Sequence, residues 1–124
     1  MDKITITIPL PDASLSPNSR SHWGTKARHT QNYRAAAMLA TKAALKRERP
    51  PGWLKAECQV SAFYSVMRRR DTDNLIASLK SAFDGIADTG VISNDSGLIH
   101  LPAIIGRDVK NPRIEITITG IPHP

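Results

Sequence analysis

Only one cysteine occurs in these 124 residues, so no disulfide can form within the chain. Cys58 falls in an apolar-alternating stretch, and we expect a buried structural thiol in a reducing cytoplasm. Aromatic residues are scarce, two each of Phe, Tyr and Trp, so aliphatic side chains must build most of the core. No apolar run is long enough to span a membrane, and no charged-then-apolar leader is present. Neither export nor membrane association is expected. Repeats and low-complexity tracts are also missing. The length suits one domain, expected over 1–124, with a modest core.

The first half is short of acid. Residues 1–50 carry nine Lys/Arg against three Asp/Glu, or 9 − 3 = +6, whereas residues 51–124 carry eight of each. All of the net charge therefore comes from the first half. A one-sided basic field attracts polyanions, and nucleic acid is the commonest of them. A solvated basic helix kept for solubility is the plainer alternative.

Two segments alternate with period two. KITITIPL (3–10) sets Ile4, Ile6 and Ile8 against threonines, and RIEITITG (113–120) does the same with Ile114, Ile116 and Ile118. Both read as strands with one buried face, which places the two ends of the chain in one sheet. PDASLSPNSRSHWG (11–24) reads as loop. Residues 25–49 contain no Pro or Gly and bring Tyr33, Ala37, Ala40 and Ala44 to helical spacing, so they form a basic helix that RPPG (49–52) ends. Residues 54–67 alternate again through Val60, Ala62, Tyr64 and Val66. A second helix over about 74–88 carries Leu75, Leu79, Ala82, Phe83 and Ile86 on one face. The turn-rich DTGVISNDSG (88–97) leads to a strand over 98–105, which Pro102 interrupts and so places at an edge or bulge. The fold class is α/β (α+β). We expect a small mixed sheet of about four strands, with two helices on one face, in the order β-α-β-α-β-β.

RRRDTDN (68–74) is the stretch with chemistry in it. If 71–73 stays extended, Asp71 and Asp73 project to one side at a strand end. Two carboxylates that close repel unless a proton or cation sits between them. Mg2+ takes a few carboxylates plus waters, which suits a pair with no His or Cys nearby. Helix capping near Asn74 is the ordinary alternative. In the helix that follows, Asp73, Lys80 and Asp84 fall within a sector of roughly 40°, opposite the apolar face. Lys80 is placed to meet a phosphate, or simply to pair with Asp84 four residues on. Asp95, in SNDSG (93–97), is a turn aspartate that the helix could return to the same strand end. Arg68, Arg69 and Arg70 make the neighbourhood attractive to a polyanion.

RRRDTDNLIASLKSAFDGIADTGVISNDSG (68–97) resembles the core motif of the RusA-type Holliday-junction resolvases: an arginine-preceded D-x-D-N-L, a lysine, a helical D-G/A-L/I, then acids in a turn. LSPNSRSHW (15–23) resembles the amino-terminal loop of that family, and the likeness runs from about residue 4 to 119. It implies a Mg2+-dependent endonuclease, with Mn2+ as a substitute, acting as a homodimer on four-way junction DNA. The implied catalytic and metal-binding acids are Asp71, Asp73 and Asp95, with Lys80 as the essential lysine and Asn74 and Asp84 in support. Two departures stand out. The gap from Asp73 to Lys80 is about one helical turn longer than in some members, and Asn94 replaces the first of two consecutive turn acids.

Arg20, His22, Lys26, Arg28 and Arg34 are expected to hold DNA arms through phosphate contacts, which give affinity without sequence information. Arg107 and Lys110 could also touch DNA. Trp23 is expected to anchor the loop onto the fold rather than to wedge between bases. Two other functions remain open: a non-catalytic basic nucleic-acid-binding module, and a different metal-dependent nuclease of branched or flap DNA.

Overall fold

A computed structural model describes residues 1–68 and 71–122. Its centre is a ladder of isoleucines. Strand β1 (Lys3–Ile8) pairs antiparallel with β5 (Arg113–Gly120), and β5 pairs antiparallel with β2 (Ala56–Tyr64). The register aligns Ile4 with Ile118 and Cys58, Ile6 with Ile116 and Val60, and Ile8 with Ile114 and Ala62. All nine of these side chains are buried. The alternation forces this outcome, since every second residue of a strand faces the same side. The other face is polar, with Thr5 and Thr117 hydroxyls 3.1 Å apart. Burial pushes the Cys58 thiol up to about 12, so it stays protonated as an inert member of the core.

The edge beyond β2 is split. Strands β3 (Leu98–His100) and β4 (Ile104–Arg107) both lie parallel to β2, one after the other. Pro102, which has no N–H for the ladder, falls between them, and Gln59 Nε2 donates to its carbonyl at 2.8 Å. The expected single strand over 98–105 is therefore two. This gives a five-stranded mixed sheet ordered β1-β5-β2, with β3 and β4 sharing the far side of β2.

One sheet face carries the helices α1 (Trp23–Leu45), α2 (Thr72–Ser78) and α3 (Lys80–Asp88). Helix α1 ends earlier than the prolines: Lys46 adopts φ 57° and stops it. Its buried side is Tyr33, Ala37, Thr41 and Leu45, the true i, i+4 row. Tyr33 donates its hydroxyl to the Pro9 carbonyl (2.7 Å), tying α1 to the end of β1.

Helices α1 and α3 touch backbone to side chain. A Cβ on Gly85 would lie 2.2 Å from the Arg34 carbonyl oxygen and 3.2 Å from Ala37 Cβ, so only glycine fits that crossing. Beside it Arg34 grips Asp88 with two hydrogen bonds, Nε at 2.7 Å and Nη2 at 2.8 Å. Such forked pairing fixes orientation as well as distance.

This contact predicts that G85A loses at least about 2 kcal/mol of stability, because the new methyl meets backbone rather than a yielding side chain. G24A, whose Cβ would meet only the His22 ring at 3.3 Å, should change stability by less than about 1 kcal/mol. Urea unfolding of the two variants checks the contrast.

Candidate active site

Asp71 keeps extended backbone (φ −89°, ψ 110°) and is the N-cap of α2. Its Oδ1 accepts from the backbone N–H groups of Asp73 at 3.0 Å and Asn74 at 3.1 Å. Its Oδ2 has no hydrogen-bond partner among the described residues. Thr72 and Asp73 are already helical, so the extended backbone expected over 71–73 ends at Asp71. Asp73 instead stands in the first turn of α2, where amide dipoles favour negative charge. The two acids are neighbours across a helix start, not along a strand.

The helix expected over 74–88 is interrupted at Leu79 (φ −95°, ψ 4°), whose N–H bonds to the Ile76 carbonyl at 3.1 Å. The interruption separates Asp73, in α2, from the stripe that Lys80 and Asp84 share on α3. Lys80 gathers a group of its own. Its ammonium donates to Asp84 Oδ1 at 2.7 Å and also to Asp95 Oδ2. The Lys80 side chain is 66% exposed, Asp84 28% and Asp95 23%. Hydrogen bonds to Asp84, then Asp95, raise the Lys80 pKa, and the Lys80 bond is the main cause holding Asp95 below the ordinary carboxylate range.

A 3-10 turn, Asp95–Gly97, delivers Asp95 to that ammonium. Asn94 caps the turn by accepting from Ser96 N–H at 3.0 Å, so a capping residue fills the place of the missing acid. A Cβ at Gly97 would come within 2.2 Å of the Leu54 carbonyl oxygen. Close packing there holds the turn against the start of β2.

Two clefts adjoin along this side. One, of about 440 Å3, is lined by Asp71, Asn74 and Ser78 on α2 with Asp12, Ser16 and Tyr64 opposite. The other, of about 280 Å3, is lined by Lys26 and Thr30 of α1 with Ser78, Lys80, Ser81 and Asp84. Ser78 belongs to both. Asp12 and Ser81 were not singled out from the sequence, and Tyr64 was read only as a strand residue. Asp12 caps the preceding 3-10 turn (Ala13–Leu15) through Ser14 N–H at 2.9 Å, and that bond holds its carboxyl below the ordinary range. Only an Asp-x-Ser capping pattern marked it, and nothing in one dimension ties residue 12 to residue 71.

The expected DNA contacts divide. Lys26 lines the second cleft, and Arg20, Arg28 and Arg68 are exposed. Arg34 is committed to Asp88, and His22 Nδ1 caps α1 by accepting from Gly24 N–H at 3.1 Å. Trp23 anchors nothing: it is 78% exposed. Arg69 and Arg70 lie outside the described residues.

The donor chemistry fits a hard divalent cation, since Asp71, Asp73 and Asp95 offer only carboxylate oxygens and Asp71 Oδ2 has no partner among the described residues. In the arrangement as it stands, no three His, Cys, Asp or Glu side chains converge among the described residues. Asp95 holds an ammonium instead.

A model of the RusA endodeoxyribonuclease family matches residues 11–119. An uncharacterized protein of Xylella fastidiosa (strain Temecula1) is 30% identical over 119 residues, spanning 94% of this chain and 76% of that protein. The fold is a mixed α/β layer with acids at one helix start, and the match covers all of it but β1 and the last residue of β5. The chain belongs to the RusA endodeoxyribonuclease family, and at that level it is a DNA-cutting enzyme. No described helix is long and apolar enough to cross a membrane.

The Lys80–Asp95 contact has a defined pH window in metal-free protein. Asp95's lowered pKa makes its contribution complete above the unfolded value of 3.8 and lost as pH falls through the lower folded value. Lys80's raised pKa makes its contribution complete below 10.5 and lost as pH rises through the higher folded value. Carboxyl NMR should show an Asp95 midpoint below 3.8 that rises in K80M. An unchanged midpoint in K80M would show that the contact is not made in solution.

Proposed function

We propose that the protein is a Mg2+-dependent endonuclease that resolves four-way DNA junctions by paired, symmetric nicks, acting as a homodimer. The observation that carries this is the family match over residues 11–119, which spans every candidate acid and Lys80. Asp71, Asp73 and Asp95 are the residues that would hold the metal. Bound there, it would polarise a phosphoryl oxygen and lower the pKa of the attacking water. Lys80 then faces the phosphate and offsets the negative charge that grows on it during attack. Asp84 holds the same ammonium from within α3, which keeps Lys80 at the site while Asp95 is engaged elsewhere. Each chain carries one such constellation and cuts one strand, so a two-fold dimer supplies the second, symmetric nick. Exposed basic residues of the loop and α1 would grip the arms by their phosphates, giving salt-sensitive affinity without sequence reading.

One observation favours a non-catalytic binding module: the Asp71 cap needs no metal. Asp71→Asn separates the two, because asparagine caps as well as aspartate and spares the fold. With Mg2+ and labelled junctions, we expect D71N to lose at least ~100-fold in nicking. Junction binding should be kept or tightened, since a repelling charge is gone. Wild-type nicking at D71N would remove Asp71 from the chemistry. Absence of paired nicks by wild type on several junctions, with flaps cut instead, would assign the site to another branched-DNA substrate.

A further inference from the structure

We propose that the cleft between α1 and the α2–α3 junction is a seat for one backbone phosphate of the bound DNA, distinct from the phosphodiester that is cut. The inference rests on the nuclease reading and adds a second contact point to it. Its lining carries Lys26 of α1 and, from α3, the paired Lys80 and Asp84, so Lys26 is the cation it offers to a second phosphate. The Asp84 carboxylate is covered, since Lys80 Nζ stands 2.7 Å from its Oδ1. Lys26 makes no ion pair among the described residues and is the cation left available.

Hydroxyls complete the lining. Thr30 and Ser78 donate to the Lys26 and Asn74 carbonyls, each at 2.8 Å, which leaves their oxygens as acceptors only. Ser81 differs. It is 94% buried by its 6% exposure, it lines the cleft, and its Oγ is a buried hydroxyl without a partner among the described residues. Proteins seldom leave such a donor unpaired, and an anionic oxygen is the strongest acceptor it could meet. At about 280 Å3, the space is at the lower limit of ligand pockets, ~300–1,000 Å3. It suits a phosphate with its waters better than a nucleoside. Lys80 lines this cleft and also holds Asp95, so a phosphate in the seat lies next to one of the candidate acids.

The test is binding of the full-length protein to four-way junctions, in EDTA to prevent cutting, with single neutral methylphosphonates walked along each strand. For wild type, we expect one position (with its symmetry mate) where the neutral linkage weakens binding by roughly ten-fold, as befits a charge-assisted contact. K26M and S81A should each weaken binding to the unmodified junction and lose sensitivity at that position alone, while K26R keeps it. Thermal unfolding confirms that each variant is folded. Equal losses at every phosphate in K26M, or wild-type binding by both variants, would overturn the seat and leave the nuclease reading intact. Failure of wild type to bind any junction would overturn both.

Discussion

One ammonium shared by two carboxylates joins the first residue of α3 to the turn that follows the helix. Lys80 is bonded to Asp84 on its own helix and to Asp95 eleven residues further on. At 66% exposure the lysine is well hydrated, so the pairs are worth at most ~1 kcal/mol each and do not hold the fold. Their effect is positional. They fix which way Asp95 points, and they leave a cation where the proposed chemistry requires one. The energy that keeps the elements in place comes from elsewhere, from the three buried rungs that join β1, β5 and β2.

Those rungs explain why the sheet was readable in one dimension. Strict alternation of Ile4, Ile6, Ile8 and of Ile114, Ile116, Ile118 admits a single buried face, and a slip of one residue would expose all six. Pro102 likewise announced a broken edge. The interruption at Leu79 left no such mark. Leucine is a good helix former, and no proline or glycine lies near it. The break arises in the packed structure, where Leu79 is fully buried, and it puts Asp73 and Lys80 on separate helices. Trp23 misled for the opposite reason. A large aromatic in a loop favours burial, yet here it opens α1 and faces solvent.

The acids themselves were legible as types and spacing, but their partners were not. Asp71 is both a cap and a candidate ligand, and the cap uses only its Oδ1. Asp95 lies close to Lys80 because the whole α2–α3 crossover returns the chain to an edge strand, a consequence of topology that local pattern does not carry. The basic charge reaches this place by a similar route. Gly85 lets α3 approach the backbone of α1, and the Arg34–Asp88 fork sets the angle. Lys26 therefore lines one cleft with Asp84, a carboxylate that would otherwise repel a nucleic acid.

The central claim is that Lys80's ammonium and a divalent metal ion are alternative cations for Asp95. Crystals soaked with Mn2+ and read by anomalous scattering test it most directly. We predict a peak within about 2.2 Å of Asp71, Asp73 and Asp95 carboxylate oxygens, with Lys80 withdrawn from Asp95 and still bonded to Asp84. A peak elsewhere, or none at saturating Mn2+ with the Lys80–Asp95 contact intact, would contradict it.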